Sequence, residues 1–496
     1  MKRKILLPLV TAVILTSCYP EDFPYSNEDA SKFSEISSIA IGGEGAAEIS
    51  AYDPLTKRLF VVTNTGTTQI DVLDLTNPAS PVHIHVINIA PYGGGVNSVD
   101  VSNGKLAAAV EGFIKTDPGK VVIFKTTDYS EVKQIPVGAL PDMITYSPDG
   151  KYILTANEGE PNDDYSIDPI GTVSIINVWN HYSVVNLDFS GFASQANYLK
   201  SKGLRVYGPG AGFAQDMEPE YITVSHDSKT AWVTLQENNA IAKINIPARR
   251  VTNIFPLGFK QYNLSGNEID PSDKDGGIIQ GPWNVKGMYE PDAIAVLEEH
   301  GIPYLFTANE GDAREYETFE EIKRVKDLTL DPAAFPDATI KQDAKLGRLN
   351  VTTTLGNNDN DGDYEELYSL GARSFSVWNG HNGHRIYDSK RELDDKCIAA
   401  GFYDDGRSDD KSVEPEGITL GIVGRKPIAF VGMERSDAVA VYDVSKPYNP
   451  KFVKLLHTGD APEGLLFIPA QDSPSGKSLL VVSSEGDGTV KVYQVN

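Results

Sequence analysis

The chain has 496 residues, of which 40% are hydrophobic and 23% are charged, and its formal net charge at pH 7 is −25. A folded chain this acidic repels nucleic acids and anionic lipid surfaces, so we expect neither as a partner. Its cysteines are Cys18 and Cys397. Because the sequence around Cys18 predicts that this cysteine carries a lipid, we expect no intramolecular disulfide, and an apolar core must stabilise the fold. We expect a monomer.

Residues 1–17 have the features of a secretory signal, because three basic residues precede an apolar run that is too short to span a membrane. The run ends in Leu15-Thr16-Ser17-Cys18, which resembles a bacterial lipobox. In such a motif the cysteine receives the lipid and becomes the new N-terminus. The alternative is an ordinary signal with a chance cysteine. The lipobox predicts a lipoprotein that is anchored in the membrane through Cys18.

The residues after Cys18 indicate where in the cell the predicted lipoprotein is located. Glu21 and Asp22 follow the cysteine closely and resemble the acidic tag that carries some lipoproteins to the outer surface. We therefore expect an extracytoplasmic, outer-membrane lipoprotein that is exposed at the cell surface. Residues 18–32 are expected to be its tether.

The rest of the chain repeats one pattern seven times. Each repeat has an acidic or amide residue where one apolar strand begins and another where the next strand ends, with a tight turn between them, such as Ser147-Pro148-Asp149-Gly150. The first series is Glu48, Asn97, Asp142, Glu220, Asp292, Glu416 and Glu463; the second is Asn64, Glu111, Glu158, Glu237, Glu310, Glu434 and Glu485. Repeats of four short strands predict an all-β, seven-bladed β-propeller over residues 33–496.

The last repeat is one strand short. Its strands begin near Pro462, Ser478 and Thr489, and the chain then ends. The missing strand is expected at Glu35 to Ile41, ahead of the first repeat. Pairing the two ends of the chain in one sheet would close the ring and remove an exposed edge.

Four connections are much longer than the others. We expect insertions at about residues 190–217, 258–289, 311–373 and 389–413. In an antiparallel meander, these connections leave from the same edge of the blades as the acidic residues. Long loops inside a compact domain are usually functional or disordered. One face of the propeller is therefore predicted to carry both the insertions and the acids.

Carboxylates from successive blades should surround one channel mouth. Such groups repel each other unless cations, arginines or protonation intervene. Hard cations suit all-oxygen sites, so we expect Ca²⁺, with Mg²⁺ as the alternative ion. The other interpretation is that the carboxylates cap backbone groups and face a wet channel. The predicted ligand-binding residues are Asp142, Glu158, Glu220, Glu237, Asp292, Glu416, Glu434, Glu463 and Glu485.

One segment combines acids with a guanidinium. Glu310 and Asp312 could share a metal ion, while Arg314 offers a planar fork for a carboxylate or phosphate, and Arg373 is expected at the same mouth. Such a set could bind and hydrolyse a phosphate ester. The alternative is that these arginines pin a long loop.

A second acidic segment resembles a calcium loop. Asn357 to Asp363 alternates oxygen-bearing side chains, with Gly362 at the turn, as in the first half of an EF-hand loop. The twelfth position holds Tyr368, where that motif needs Glu. We expect Asp359, Asp361 and Asp363 to bind Ca²⁺ and staple the insertion. A flexible acidic turn is the alternative.

Several motifs together resemble a known family. These motifs are Glu218-Pro219-Glu220-Tyr221, Leu235-Gln236-Glu237-Asn238-Asn239-Ala240, Asn309-Glu310-Gly311-Asp312-Ala313-Arg314, Leu346-Gly347-Arg348-Leu349 and Ser369-Leu370-Gly371-Ala372-Arg373. On them, nearly all of the mature chain resembles the choice-of-anchor I family, and the blades are similar to YVTN-type propeller repeats. The resemblance implies a secreted, surface-attached propeller. Some relatives are labelled alkaline phosphatase, and animal relatives look like cell-surface glycoproteins.

Three functions remain open from the sequence. The first is a surface lipoprotein that binds an unknown extracellular ligand or protein through an acidic, cation-containing face. The second is a metal-dependent phosphoesterase that uses Glu310, Asp312, Arg314 and Arg373, with a metal-activated water as nucleophile. The third is an interaction scaffold that needs no cation. The sequence contains no conventional nucleophile motif, Walker loop or dinucleotide fingerprint.

Overall fold

A computed structural model describes residues 27–496, and the signal segment and Cys18 lie outside this range. Seven four-stranded antiparallel sheets form the blades of a propeller. Their innermost strands contact one another in sequence, and that of blade seven contacts that of blade one, so the ring is closed. The predicted seven-bladed propeller is confirmed.

Each blade is a meander from the channel outward. The strands of blades one to four are Ala46–Asp53, Arg58–Thr63, Gln69–Asp74 and Val82–Asn88; Val96–Ser102, Lys105–Val110, Pro118–Lys125 and Glu131–Ala139; Pro141–Tyr146, Tyr152–Asn157, Thr172–Asn177 and Ser183–Leu187; Pro219–Val224, Thr230–Leu235, Ala240–Asn245 and Arg250–Pro256. Those of blades five to seven are Ile294–Glu299, Ile302–Asn309, Ser374–Asn379 and Arg385–Asp388; Pro415–Val423, Lys426–Met433, Ala438–Asp443 and Lys451–His457; Pro462–Ile468, Leu479–Ser484, Thr489–Val495 and Phe33–Ala40.

The two ends of the described chain meet in blade seven. Phe33–Ala40 pairs antiparallel with Thr489–Val495, and Phe33 lies opposite Val495. Glu28 holds the segment that precedes this strand, because its carboxylate accepts hydrogen bonds from the backbone N–H and the hydroxyl of Ser478, at 2.8 and 2.6 Å. The strand expected at Glu35 to Ile41 is confirmed, with its start two residues earlier.

Apolar side chains fill the space between neighbouring blades. Phe60 and Phe124 belong to one buried cluster between blades one and two, and equivalent clusters lie at the other blade interfaces. Phe33 packs edge-on against Phe430 at the blade six to seven interface, with 5.3 Å between ring centroids. Burial of each large side chain contributes about 1.5–3 kcal/mol, so these layers hold the ring together.

The long insertions pack on each other at one face. They contain three small sheets of short strands. The first consists of Phe259–Gln261, Lys286–Met288 and Tyr368–Ser369, the second of Glu315–Tyr316 and Phe319–Glu320, and the third of Ile322–Arg324 and Asn350–Thr352. Their helices are Ala196–Lys200 and Glu392–Ala400, and 3₁₀ turns lie at Ser190–Gln195, Val325–Asp327, Leu346–Arg348 and Asp405–Arg407. Tyr262, Val325 and Leu346 belong to a separate buried cluster within these insertions. Within residues 27–496, every helix is too short or too polar to cross a membrane.

Two further turns and the remaining cysteine complete the described chain. The 3₁₀ turns Ala30–Lys32 and Glu434–Ser436 flank strands of blades seven and six. Cys397 is a buried free thiol whose Sγ lies 3.6 Å from Sδ of Met433. Burial raises the pKa of this thiol to about 12, so it remains protonated in the core.

Candidate functional site

A cavity of about 210 Å³ opens at the channel mouth on the face that carries the insertions. All seven blades contribute to its wall, since Ile49 of blade one and Asn97 of blade two complete the ring. The carboxylates in the wall are Asp142, Glu158, Glu220, Asp292, Glu416 and Glu463. The structure therefore brings acidic side chains from five blades to one opening.

A local backbone feature aims these side chains at the channel. The pairing of the first two strands shifts register around the acidic residue, between Pro141 and Met143 in blade three and between Pro462 and Gly464 in blade seven. Such a bulge leaves one residue unpaired and redirects its side chain. The residue two positions before the acid has a positive φ, as at Leu140 and Ala461. Asp142 and Glu463 occupy the unpaired positions and line the cavity.

In blades three and five the second acidic residue lies in an Asn-Glu-Gly turn, and blade three shows how that turn places it. The Asn157 side chain is buried and donates to the hydroxyls of Thr172 and Ser174, at 3.1 and 2.8 Å. Gly159 has φ +75°, and a Cβ there would lie 2.9 Å from the backbone nitrogen of Gly171. Glu158 lies between the anchored amide and this turn, so its side chain is left to face the cavity.

Glu158, Glu220 and Glu237 form what we call the first triad. One carboxylate oxygen of each lies within 4.8 Å of the others. The three residues are only 8%, 8% and 4% exposed. Oε2 of Glu220 and Oε2 of Glu237 are buried without a hydrogen-bond partner.

The first triad has no basic side chain bonded to it within residues 27–496. The ammonium of Lys115, which acts electrostatically on Glu158, is half exposed and pairs with Glu160. Burial first, and then neighbouring carboxylates, raise the pKa of all three glutamates well above the usual value. A cation bound among these carboxylates would stabilise their charged forms.

Glu310, Glu414 and Glu434 form what we call the second triad, whose oxygens also lie within 4.8 Å of one another. Lys411 sits among them, with Nζ 2.6 Å from Oε1 of Glu310 and 3.2 Å from Oε2 of Glu414. Gln236 donates to the other oxygen of Glu310 at 3.1 Å. Burial alone would lower the pKa of Lys411. The carboxylates of Glu310 and Glu414 nevertheless hold this pKa well above its usual value.

Two arginines complete the second triad. Nε of Arg407 donates to Glu414 at 3.0 Å, and a guanidinium nitrogen of Arg435 lies 2.9 Å from Glu434. Burial, followed by Glu310 and Glu414, still raises the pKa of Glu434 to about 7. Glu310 also lies close to Asp292 and Glu416, so the second triad adjoins the cavity. Lysine and arginine side chains of the protein therefore already neutralise much of the negative charge of the second triad.

The remaining predicted ligand-binding residues lie around the two triads. Burial raises the pKa of Asp142 to about 6, and burial together with Glu48 raises that of Glu463 well above its usual value. Glu485 is half-buried near the rim, where its backbone carbonyl accepts from Gly45 at 3.0 Å. Its side chain is not part of the cavity wall. The acidic residues thus form one group that lies deep in the cavity and another group at its rim.

Arg314 is held inside a buried ionic network. Its guanidinium lies 2.7 Å from Asp216 and 2.7 Å from Glu218, and it stacks on the ring of Tyr207 at 4.5 Å. Asp312, two residues before Arg314 in the chain, is exposed. The geometry matches the structural alternative for Arg314, a side chain that pins a long loop.

Arg373 belongs to a different network. Its two terminal nitrogens donate to the backbone carbonyls of Asp270, Ser408 and Asp410, at 2.9, 2.8 and 2.9 Å. It joins two insertions to the edge of blade five. Arg314 and Arg373 therefore do not form a shared anion-binding pair.

Sequence reasoning missed a third ionic group. Arg205 is buried and bonds the carboxylates of Glu290 and Glu321, which links two insertions to the segment that leads into blade five. It also donates from a guanidinium nitrogen to the backbone carbonyl of Glu237 at 3.2 Å. No repeat signal marks Arg205 or Lys411, because both lie in insertions.

The acidic loop of the third insertion forms a small surface cluster. Asp359 and Asp361 each offer an oxygen within 4.8 Å of one from Glu365. Asp363 is not in this group; its backbone N–H donates to Asp361 at 3.1 Å. Gly362 has φ +105°, as the turn requires.

Comparison with known proteins identifies the family. Residues 48–447 match the model of the choice-of-anchor I domain. The chain belongs to the choice-of-anchor I family. The resemblance seen in the sequence motifs is therefore confirmed.

Two animal proteins are similar to this member of the family. Gigasin-3a of Magallana gigas is 29% identical over 191 residues, which cover 32% of this chain and 67% of that protein. The mesenchyme-specific cell surface glycoprotein of Strongylocentrotus purpuratus is 26% identical over 373 residues, which cover 63% of this chain and 46% of that protein. The chain thus spans less than half the length of the second relative.

Solved structures share the fold. Kuenenia stuttgartiensis hydrazine synthase aligns with TM-score 0.50 and 14% identity, over 92% of this chain and 98% of that chain. The WD40 repeats of RRP9 align with TM-score 0.50 and 9% identity, over 95% and 99%. At such identities the likeness shows the β-propeller fold alone.

Proposed function

We propose that this protein is an extracytoplasmic lipoprotein of the outer membrane, anchored through Cys18, that binds an extracellular ligand or protein at the cell surface. Binding occurs through the acidic face of the propeller, and divalent cations, Ca²⁺ before Mg²⁺, are part of that face. Family and fold indicate a surface-associated propeller. The name of the sea-urchin relative, a cell surface glycoprotein, supports the location.

The cavity at the channel mouth is the observation that supports this function best. It gathers six carboxylates, and the carboxylate oxygens Oε2 of Glu220, Glu416 and Glu463 are buried there without a hydrogen-bond partner. A buried polar group without a partner costs free energy, so native proteins rarely retain several of them without a role. Oxygen-only ligands of this kind favour hard cations and the oxygen-bearing groups that such cations bind.

Purified protein can test the binding function. Wild type is applied to immobilised oligosaccharides and acidic peptides in Ca²⁺, in Mg²⁺ and in chelator. We expect cation-dependent retention that Glu220→Gln together with Glu237→Gln abolishes. Retention that is equal in Ca²⁺ and chelator would favour the cation-independent scaffold and contradict the cation part of the proposal.

The same protein tests the phosphoesterase alternative. The engaged guanidinium groups of Arg314 and Arg373 count against it. We expect no phosphate release from a panel of phosphoesters in the presence of Ca²⁺ or Mg²⁺. Turnover that depends on the metal, and that is lost in Asp312→Asn with an unchanged melting temperature, would establish the enzyme instead.

The anchor has its own test. Cys18→Ala should release the protein from the membrane fraction into the soluble fraction, because a lipid chain supplies the attachment. Protease added to intact cells should digest the wild-type protein if the propeller faces outward. Membrane attachment that survives the Cys18→Ala change would contradict the lipid anchor.

A further inference from the structure

We propose that the first triad is a dedicated Ca²⁺ site, whereas the second triad holds Lys411 in place of a metal ion. This inference deepens the proposed function, because it says which part of the acidic face binds the cation. It stands on two independent observations. The first triad brings three carboxylate oxygens together, and two of its residues, each more than nine-tenths buried, keep an unpartnered oxygen.

The spacing of the first triad fits one ion. Ca²⁺ binds oxygen ligands at 2.3–2.6 Å, so two ligands of the same ion lie at most about 5 Å apart. The triad oxygens lie within 4.8 Å of one another. Glu218 is close in sequence to Glu220 but is bonded to Arg314, so it is not available as a ligand.

Charge separates the two triads. The second triad has an ammonium and two guanidinium groups in contact with its carboxylates, from Lys411, Arg407 and Arg435. Within residues 27–496 the carboxylates of the first triad have no such contact: Arg205 donates to the backbone carbonyl of Glu237 rather than to its carboxylate, and Arg314 is already bonded to Asp216 and Glu218. Because uncompensated buried charge is costly, the first triad is the place where an added divalent ion stabilises the fold most.

The position of the ion defines the chemistry of its ligand. Ca²⁺ takes six to eight oxygens, so three glutamates leave several coordination positions open. Glu158 and Glu220 line the cavity, so those positions face it. At about 210 Å³, the cavity is smaller than the roughly 300–1,000 Å³ of sites for drug-sized molecules. It fits waters or one carboxylate or diol group at the end of a larger ligand.

Calcium titration of purified, chelator-treated protein tests the site. Every protein carries Asp359→Asn and Asp361→Asn, so that the surface loop does not contribute. Three forms are compared by calorimetry: this background, the background with Glu220→Gln and Glu237→Gln, and a matched control with Glu310→Gln and Glu434→Gln. Melting temperature and circular dichroism of each form show that it is folded.

We expect the background to bind one Ca²⁺ and the first-triad variant to bind it at least about 100-fold more weakly, because the ion loses two of three carboxylates. The control should keep its affinity within about threefold. Binding that survives in the first-triad variant and is lost in the control would overturn this inference and leave a cation on the acidic face. No binding by the background would overturn both this inference and the cation part of the proposed function.

Discussion

The two triads have the same ligand chemistry and different counter-charges. Each gathers three glutamate oxygens within 4.8 Å at the same face of the propeller. Lys411 bridges two carboxylates of the second triad, whereas two oxygens of the first triad have no partner. An acidic cluster becomes a candidate cation site when the rest of the chain fails to neutralise it.

The largest expected effect comes from removing the internal cation. Lys411→Met leaves Glu310 and Glu414 buried without their ammonium, which should lower the free energy of unfolding by about 3–5 kcal/mol. Denaturant unfolding in chelator measures the loss, and Glu310→Gln added to Lys411→Met should recover part of it. Millimolar Ca²⁺ should also stabilise the Lys411→Met protein more than wild type. A loss below about 1 kcal/mol would show that the ammonium is not the essential counter-charge.

Neutralising a carboxylate of the first triad should stabilise the protein, which is the opposite of the effect expected for Lys411→Met. Glu237→Gln removes a buried, uncompensated charge, so we expect the free energy of unfolding in chelator to rise by about 0.5–2 kcal/mol. The matched control is Glu434→Gln, which loses its contact with Arg435 and should not stabilise the protein. A destabilised Glu237→Gln protein would mean that the carboxylate has a protein partner.

The stability of metal-free protein should depend on pH. Burial raises the pKa of Glu48 and Asp142 to about 7 and 6, and that of Glu220 well above its usual value. Carboxyls with a raised pKa bind more protons in the folded than in the unfolded state, so stability rises as pH falls through the folded pKa.

We therefore expect the melting temperature in chelator to increase as the pH is lowered from about 8 to about 5. Saturating Ca²⁺ should raise the value at the upper end of this range and flatten the profile. Glu220→Gln with Glu237→Gln should flatten it in chelator as well. A melting temperature that falls steadily from pH 8 to pH 5 would contradict the raised pKa values.

The smallest effect is expected at the surface loop. Asp359→Asn with Asp361→Asn changes exposed residues, so the global free energy of unfolding should move by less than about 0.5 kcal/mol. If the loop binds Ca²⁺, these changes should instead remove the protection that Ca²⁺ gives the loop against proteolysis. Equal protection in wild type and variant would assign any calcium effect on cleavage to the cavity.

The fold could be predicted because its signals are local and repeated. Strand alternation, the turn at Ser147 to Gly150 and the missing strand of the last blade each follow from short stretches of sequence. The same repetition placed Asp142 and Glu220 at one mouth, since equivalent positions in successive blades face one channel. Side-chain pairing could not be predicted in this way. Arg314 meets Asp216 across 98 residues, and Lys411 reaches Glu310 across 101, through insertions that have no repeat.

Anomalous diffraction from crystals soaked in a lanthanide substitute for Ca²⁺ would locate the bound ion. We expect a strong peak between the carboxylates of Glu158, Glu220 and Glu237, and no peak at the second triad, where Lys411 stands. A peak beside Glu310, Glu414 and Glu434, or a cavity with no bound ion, would contradict this expectation.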